Sequence, residues 1–204
     1  MHFPQQTLVT LDLEGVLVPE IWIAVAERTG IDELRRTTRD EPDYDVLMKG
    51  RLALLDQHGL TMSLVAEVIS SLEPLPGARE FLDALRAETQ VVILSDTFEQ
   101  FAAPLMRQLG MPAILCHQLV VEGDKIVDYR LRMPEQKRAA VEAFRALNYR
   151  VVAAGDSYND ATMLGAAHAG IWFHAPASIA AEFPAYPRTD TYADLHAAIT
   201  AALH

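Results

Sequence analysis

Short apolar runs alternate with amphipathic stretches along most of this chain. The runs Leu8 to Leu11, Val91 to Leu94, Ile114 to Leu115, Val151 to Ala154 and Gly170 to Phe173 are short and uniformly apolar, as strands buried on both faces are. Between them, Phe81, Leu82 and Leu85, then Phe101, Leu105 and Leu109, then Val141, Phe144 and Leu147 recur at three- and four-residue spacing, which predicts helices with one buried face. The alternation predicts an α/β fold built on a doubly wound parallel sheet. Gly110 is placed to stop the second helix, and Pro104 inside it predicts an irregular first turn. The stretch Leu119 to Tyr129 reads as a hairpin turning near Gly123-Asp124.

One segment breaks the alternation. From about Pro19 to Leu75 there is no convincing strand, only helical patterns around Ile21 to Thr29, Tyr44 to Gln57 and Leu64 to Leu72. Its ends lie at Leu17-Val18-Pro19 and Pro74-Leu75-Pro76-Gly77, where the prolines and glycine favour turns. The expected organisation is a catalytic core of residues 1–18 and 76–204 interrupted by a small helical cap at 19–75.

Composition narrows the function. Lys and Arg total 17 against 28 Asp and Glu, a net charge of −11, which argues against an electrostatic grip on nucleic acid or an anionic membrane and favours a small polar substrate. No apolar run approaches the roughly 18 to 20 residues of a membrane span, and the opening Met1-His2-Phe3-Pro4-Gln5-Gln6 lacks a secretory pattern, so a cytoplasmic location is expected. The single cysteine, Cys116, reads as a packed strand-end thiol. His168 and His174 read as boundary residues, and Trp22 and Trp172 as packing residues.

Chemistry is concentrated in two acidic clusters. Asp12-Leu13-Glu14-Gly15-Val16-Leu17 and Gly155-Asp156-Ser157-Tyr158-Asn159-Asp160 each follow a strand-like run, so both fall at the C-terminal edge of a parallel sheet, where ligands bind. Carboxylates gathered there repel one another unless a cation lies between them, and hard oxygen ligands suit Mg²⁺. An isolated cluster of this kind is more simply a helix cap or a solvated turn; the joint placement points to metal-assisted phosphate chemistry.

Four separated motifs, Asp12 to Leu17, Leu94-Ser95-Asp96-Thr97, Lys137 and Gly155 to Asp160, occur in one order along nearly the whole chain. In this the chain resembles the haloacid dehalogenase-like phosphohydrolases, in particular the phosphoserine phosphatase branch. Asp12 to Glu20 and Tyr44-Asp45-Val46-Leu47-Met48-Lys49 resemble its bifunctional phosphoserine phosphatase and homoserine phosphotransferase subgroup. The resemblance implies a Rossmann-like core with Asp12 as the nucleophile, forming an aspartyl-phosphate. It implies Mg²⁺ held by Asp12, the Glu14 carbonyl and Asp156, with Asp160 supporting the site, and it assigns Lys137 to neutralising phosphate and Asp12. Glu14 stands where the family commonly has an Asp for proton transfer; the extra methylene bears on how fast water, rather than an alcohol, takes the phosphoryl group.

Ser95 ends its apolar run, so its hydroxyl and the amides after it are expected to face phosphoryl oxygens. Thr97 is a secondary candidate whose plain alternative is capping the next helix. In the insert, Glu20 suits an α-ammonium group and Arg51 an α-carboxylate, gripped through two parallel hydrogen bonds. Met48 shares a helical face with Arg51 and is expected against the substrate. Asn159 is expected on phosphate or substrate. The leading expectation is a phosphatase for O-phospho-L-serine, with L-homoserine as a further acceptor, acting as a monomer or homodimer. A phosphatase for another small metabolite and an inactive phosphate-binding module are the alternatives.

Overall fold

A computed structural model describes residues 5–38, 40–41 and 43–203. The opening Met1 to Pro4, part of the stretch on which the expectation of no leader rests, lies outside the described residues. The first strand, β1 (Gln6–Leu11), leads through Asp12 into a helical stretch containing α1 (Ile21–Thr29), a 3₁₀ turn (Asp32–Arg35), α2 (Tyr44–Gln57) and α3 (Met62–Ser70). Then come α4 (Ala78–Glu88), β2 (Gln90–Phe98), α5 (Glu99–Gln108), β3 (Ala113–Glu122), β4 (Lys125–Arg130), α6 (Gln136–Ala146) and β5 (Tyr149–Gly155). A 3₁₀ turn (Tyr158–Asp160), α7 (Ala161–Ala166), β6 (Ala169–Phe173), α8 (Ala177–Glu182), β7 (Arg188–Thr189) and α9 (Tyr192–Ala202) complete the order.

Among the described residues seven strands form one sheet in the order β4-β3-β2-β1-β5-β6-β7, parallel throughout except for the β3–β4 pair. Alternation along the central strands fills both faces. Val9, Leu11, Ile93, Val152 and Ala154 belong to one apolar cluster, while their neighbours Leu8, Leu94, Val151 and Ala153 belong to another. Helices α4, α5 and α9 contribute to the first cluster and α6, α7 and α8 to the second, which is the doubly wound arrangement.

Several elements differ from the sequence expectation. The strand at Ile114 and the first arm of the hairpin are one strand, β3, because the polar residues His117 and Gln118 do not interrupt backbone pairing; opposite Val120 and Val121 the register shifts, with Val127 the extra residue of β4. The two-residue turn is Gly123-Asp124, with Gly123 at a left-handed φ of 61°. The first turn of α5 is helical; Pro104 falls in the second turn, where it forgoes only the bond to the Gln100 carbonyl. Gly110 does stop α5: its N–H reaches the Arg107 carbonyl and the Met111 N–H the Met106 carbonyl, a Schellman arrangement. Leu147, expected on a buried helical face, is 68% exposed, because α6 ends at Ala146 and the chain turns away through Asn148 at φ 66°. The two-residue strand β7 and helices α7 to α9 add to the elements expected.

Between Leu17 and Leu75 the described residues contain no strand. The Leu75 N–H donates to the Leu17 carbonyl at 2.9 Å, so the two ends of this helical stretch lie side by side. Val25, Met48, Leu55, Val65 and Ile69 join the same apolar cluster as Phe101 and Leu105 of α5, and Trp22 meets Phe101 edge-on at 5.6 Å. The β3–β4 hairpin secures the other side. Asp124 accepts from the Ser63 amide and hydroxyl, each at 2.8 Å, its carbonyl accepts from the Met62 N–H, and the Tyr129 hydroxyl donates to Asp45. Thus the helices are held over the C-terminal edge of the central strands, where both acidic clusters emerge. Among the described residues, no single helix is long and apolar enough to cross a membrane.

Candidate active site

Strands β1 and β5 are neighbours, and the Asp12 N–H donates to the Ala154 carbonyl at 3.0 Å, so their ends are in register. That pairing brings the two acidic clusters together from opposite ends of the chain. After Asp12 the backbone folds into a tight loop in which the Gly15 N–H donates to the Val18 carbonyl and the Leu17 N–H to the Leu13 carbonyl, both at 2.8 Å. Gly15 has φ 77°, and a Cβ there would collide with the Asp156 carboxylate. Glycine therefore permits both the turn and the approach of the second acidic loop.

Asp12, Asp156 and Asp160 are all buried and offer carboxylate oxygens lying within 4.8 Å of one another. Lys137, from the first turn of α6, places its ammonium 2.9 Å from Asp12 Oδ1, 2.7 Å from Asp160 Oδ1 and 3.7 Å from Asp96 Oδ2. Burial and the neighbouring Asp160 and Asp156 charges raise the Asp12 pKa well above its ordinary value, with Lys137 pulling the other way. Burial opposes the Lys137 charge, yet Asp12, Asp160 and Asp96 together hold its pKa well above the usual lysine range. One ammonium does not balance this many carboxylates, and three hard oxygen donors at this spacing fit a divalent cation. Asp160 Oδ2 is already committed, accepting from the Asp156 N–H at 3.0 Å and the Ser157 N–H at 3.2 Å; the second acidic loop is built around it.

Glu14 points its carboxylate to the start of α1, where Oε2 accepts from the Ile21 N–H at 2.9 Å. Its pKa rises to about 7, because burial and the nearby Glu20 charge outweigh the Ile21 N–H, Arg51 and Thr97. A carboxyl with that value both gives and takes a proton near neutrality. Glu20 is the residue just before α1 and lines the same cleft.

Ser95 lies 1% exposed at the floor of the cleft. Strand β2 continues past it to Phe98, so Thr97 is in the strand and α5 is capped by Phe98 without a side-chain bond; Thr97 is not a helix cap. The Thr97 N–H donates to Ser95 Oγ at 3.2 Å, which engages one of the amides expected to face phosphoryl oxygens.

Arg51 is 8% exposed, with its guanidinium 4.6 Å from the centre of the Trp22 ring. Nη2 donates to the Arg36 carbonyl at 2.8 Å and Nη1 faces Met48 Sδ at 3.6 Å, while Nε has no partner among the described residues. Burial lowers its pKa to about 10 against the opposing pull of Tyr44, Glu14 and Glu20. Met48 does share a face with Arg51, but it is fully buried beneath it and does not line the cleft; Trp22 and Tyr44 line it instead. Asn159 lines the cleft and donates through Nδ2 to Asp96 Oδ2 at 3.0 Å.

The cleft thus holds Asp12, Glu14, Glu20, Arg51, Ser95, Thr97, Lys137, Asp156 and Asn159, with Asp160 directly behind; of the residues expected at the site, Met48 is outside it. Sequence reasoning missed Trp22, Thr37, Thr38, Tyr44, Leu47 and the side chain of Asp96. The signal for Asp96 was its place between Ser95 and Thr97; nothing in the spacing marked the others. Cys116 is buried in β3, with burial pushing its thiol up to about 11, and His168 accepts from the Val151 N–H; neither lines the cleft.

The haloacid dehalogenase-like hydrolase family matches residues 7–168, which contain every one of these cleft residues. The chain belongs to that family. This hydrolase is 63% identical over 186 residues to the phosphoserine phosphatase ThrH of Pseudomonas aeruginosa, covering 91% of each chain. It is 62% identical over 186 residues to a phosphoserine phosphatase of Pseudomonas syringae pv. tomato, covering 91% of this chain and 78% of the relative. In fold it is similar to a solved phospho-aspartyl intermediate analogue of phosphoserine phosphatase, with TM-score 0.77, 20% identity and coverage of 92% of this chain and 95% of that one.

Proposed function

We propose that this hydrolase is a Mg²⁺-dependent phosphatase of O-phospho-L-serine that works through an aspartyl-phosphate on Asp12, with L-homoserine as an alternative acceptor. The observation that carries the reading is the setting of Asp12, a buried carboxylate 2.9 Å from Lys137 and facing the cleft that holds Glu14, Glu20 and Arg51. The similarity to two phosphoserine phosphatases above 60% identity supports the substrate.

In this reading the helical stretch 19–75 is a cap on the core formed by 1–18 and 76–204. Asp12 and Asp156, with the Glu14 carbonyl, would hold the metal, and Asp160 braces both the loop and Lys137. A cation held there would supply charge neutralisation for the transferring phosphoryl group. Asp12 Oδ attacks phosphorus as the bond to the serine oxygen breaks, and Glu14 gives its proton to that departing oxygen. Lys137 offsets part of the burial and like-charge repulsion that disfavour the Asp12 carboxylate, and Ser95 donates to a phosphoryl oxygen. Glu14, now a carboxylate, takes a proton from water as it attacks the phospho-enzyme, releasing phosphate and restoring Asp12.

Substrate choice lies in the cap. Glu20 receives the α-ammonium group, and Arg51 receives the α-carboxylate side-on through Nε and a remaining Nη2 hydrogen, which suits its unpartnered Nε. Transfer to homoserine is favoured by one feature, the longer Glu14 side chain tied to the Ile21 N–H, which bears on how readily it activates water. The test is phosphate release from phosphoserine with Mg²⁺, with and without L-homoserine, while O-phosphohomoserine is followed by mass spectrometry. Phosphate release supports the hydrolase; phosphohomoserine formed at its expense supports the transfer. No turnover of phosphoserine under either condition discards the substrate.

A further inference from the structure

Beside Ser95, at the wall of the cleft, lies a polar lattice centred on the partly exposed Asp96. Asp96 Oδ2 accepts from Asn159 Nδ2 at 3.0 Å and faces Lys137 Nζ at 3.7 Å. Its Oδ1 accepts from Gln136 Nε2 at 3.2 Å and faces His117 Nε2 at 3.6 Å.

Each of these donors is oriented from its far side. The Arg132 N–H donates to His117 Nδ1 at 3.1 Å, which leaves the ring proton on Nε2, towards Asp96. The Arg132 guanidinium donates to Gln136 Oε1 through Nε at 3.3 Å and Nη2 at 3.0 Å, so the Gln136 amide nitrogen turns to Asp96 and to the Ser95 carbonyl. The Ser157 hydroxyl donates to Asn159 Oδ1, which sets that amide nitrogen towards Asp96 as well. Even the Asp96 carbonyl is engaged, accepting from the Tyr44 hydroxyl at 2.8 Å. The carboxylate is therefore ringed by donors on both oxygens, and an ionised Asp, which only accepts, satisfies all of them. An asparagine in its place turns one of its two ends into a donor and sets it against a donor.

The position of Asn159 gives this lattice a use. Its Nδ2 has two hydrogens, one spent on Asp96, and the residue lines the cleft beside Ser95 and Lys137. We propose that Asp96 is a positioning residue for the phosphoryl end of the cleft: it locks the Asn159 amide so that its second N–H is presented to the phosphoryl oxygens. The proposal rests on the phosphomonoesterase reading and not on the identity of the alcohol.

A double-mutant cycle tests it. Asp96→Asn, Asn159→Ala and the double variant are compared in the Mg²⁺-loaded protein for kcat/KM with phosphoserine and with p-nitrophenyl phosphate, and for inorganic phosphate affinity by calorimetry. Each single variant is expected to lose about tenfold to a hundredfold in kcat/KM on both substrates, the scale of one misplaced hydrogen bond. Phosphate affinity is expected to fall with it, and the double variant should be no worse than Asn159→Ala. Losses that multiply in the double variant, or an Asp96→Asn protein with unchanged kcat/KM and phosphate affinity, overturn the proposal. If Asp96→Asn does not fold, Asp96→Ala, which removes the acceptor without adding a donor, enters the same cycle under the same criteria. A non-multiplying cycle on p-nitrophenyl phosphate supports the positioning role even where phosphoserine is not turned over, so the two readings fail separately.

Discussion

Lys137 Nζ stands 2.9 Å from Asp12 Oδ1, both side chains being almost wholly buried. The same ammonium also serves Asp160 at 2.7 Å, so one cation on α6 ties the end of β1 to the loop after β5. Lys137→Met leaves these carboxylates buried without their partner. The expected result is a loss of about 3 kcal/mol or more in metal-free stability, the usual scale for breaking a buried pair from one side. Urea denaturation checks this, with a smaller loss expected at pH 5 than at pH 7.5, because protonation relieves the orphaned carboxylates. Activity is expected to fall by about two to three orders of magnitude, as when a charge-stabilising donor is removed.

Glu14 is the proton carrier in the proposed reaction. Glu14→Gln keeps the bond from the Ile21 N–H but cannot move a proton, and is expected to lower kcat by about 10²- to 10⁴-fold on phosphoserine. A substrate with a good leaving group, such as p-nitrophenyl phosphate, needs less protonation, so its phospho-enzyme formation should suffer less in a stopped-flow burst. Glu14→Asp is expected to change the ratio of transfer to hydrolysis with homoserine present; an unchanged ratio removes the explanation offered for that activity.

The same residue should mark the stability of the metal-free protein. The Glu14 pKa rises from 4.5 to about 7 on folding, so between those values the native state binds more protons than the unfolded chain. Its contribution is complete below pH 4.5 and is lost as pH rises through 7. Measured by denaturation at pH 5 and pH 7.5, wild type should lose more stability on going to the higher pH than Glu14→Gln does. Equal losses would show that Glu14 titrates normally in the apoprotein.

Arg51 separates substrate choice from chemistry. It lies in α2, stacked on Trp22, and is not one of the three carboxylates grouped at the end of β1 and after β5. Arg51→Ala is expected to raise KM for phosphoserine by tenfold or more, on the scale of a lost charge-assisted pair. Turnover of p-nitrophenyl phosphate should change by no more than about threefold, since that substrate has no α-carboxylate. Arg51→Lys should not restore phosphoserine binding, because a lysine lacks the planar fork and the stack on Trp22.

Much of this was legible in the chain itself. The strand runs at Leu8, Val91, Val151 and Gly170 and the placement of Asp12 and Asp156 at strand ends follow from local pattern, because a strand buried on both faces must be apolar along its length, whereas β2 runs on past Ser95 to Phe98. The helical character of 19–75 is legible for the same reason, since amphipathic spacing is a property of neighbours in sequence. Polar positions such as His117 and Gln118 hid the continuity of β3, and Leu147 had helical spacing but lay one residue past the helix end.

Tertiary structure alone decided what lies far apart in sequence and touches in space. The register of β1 against β5 sets three aspartates within 4.8 Å of one another, and the end of α6 aims Lys137 between them. Met48 and Trp22 show the same limit: both are apolar residues of amphipathic helices, and only packing put one beneath Arg51 and the other at the wall of the cleft. The Asp96 lattice is the clearest case. Its donors come from β3, from the first turn of α6 and from the turn after β5, and hydrogen-bond complementarity among such distant segments has no period along the chain by which it is read.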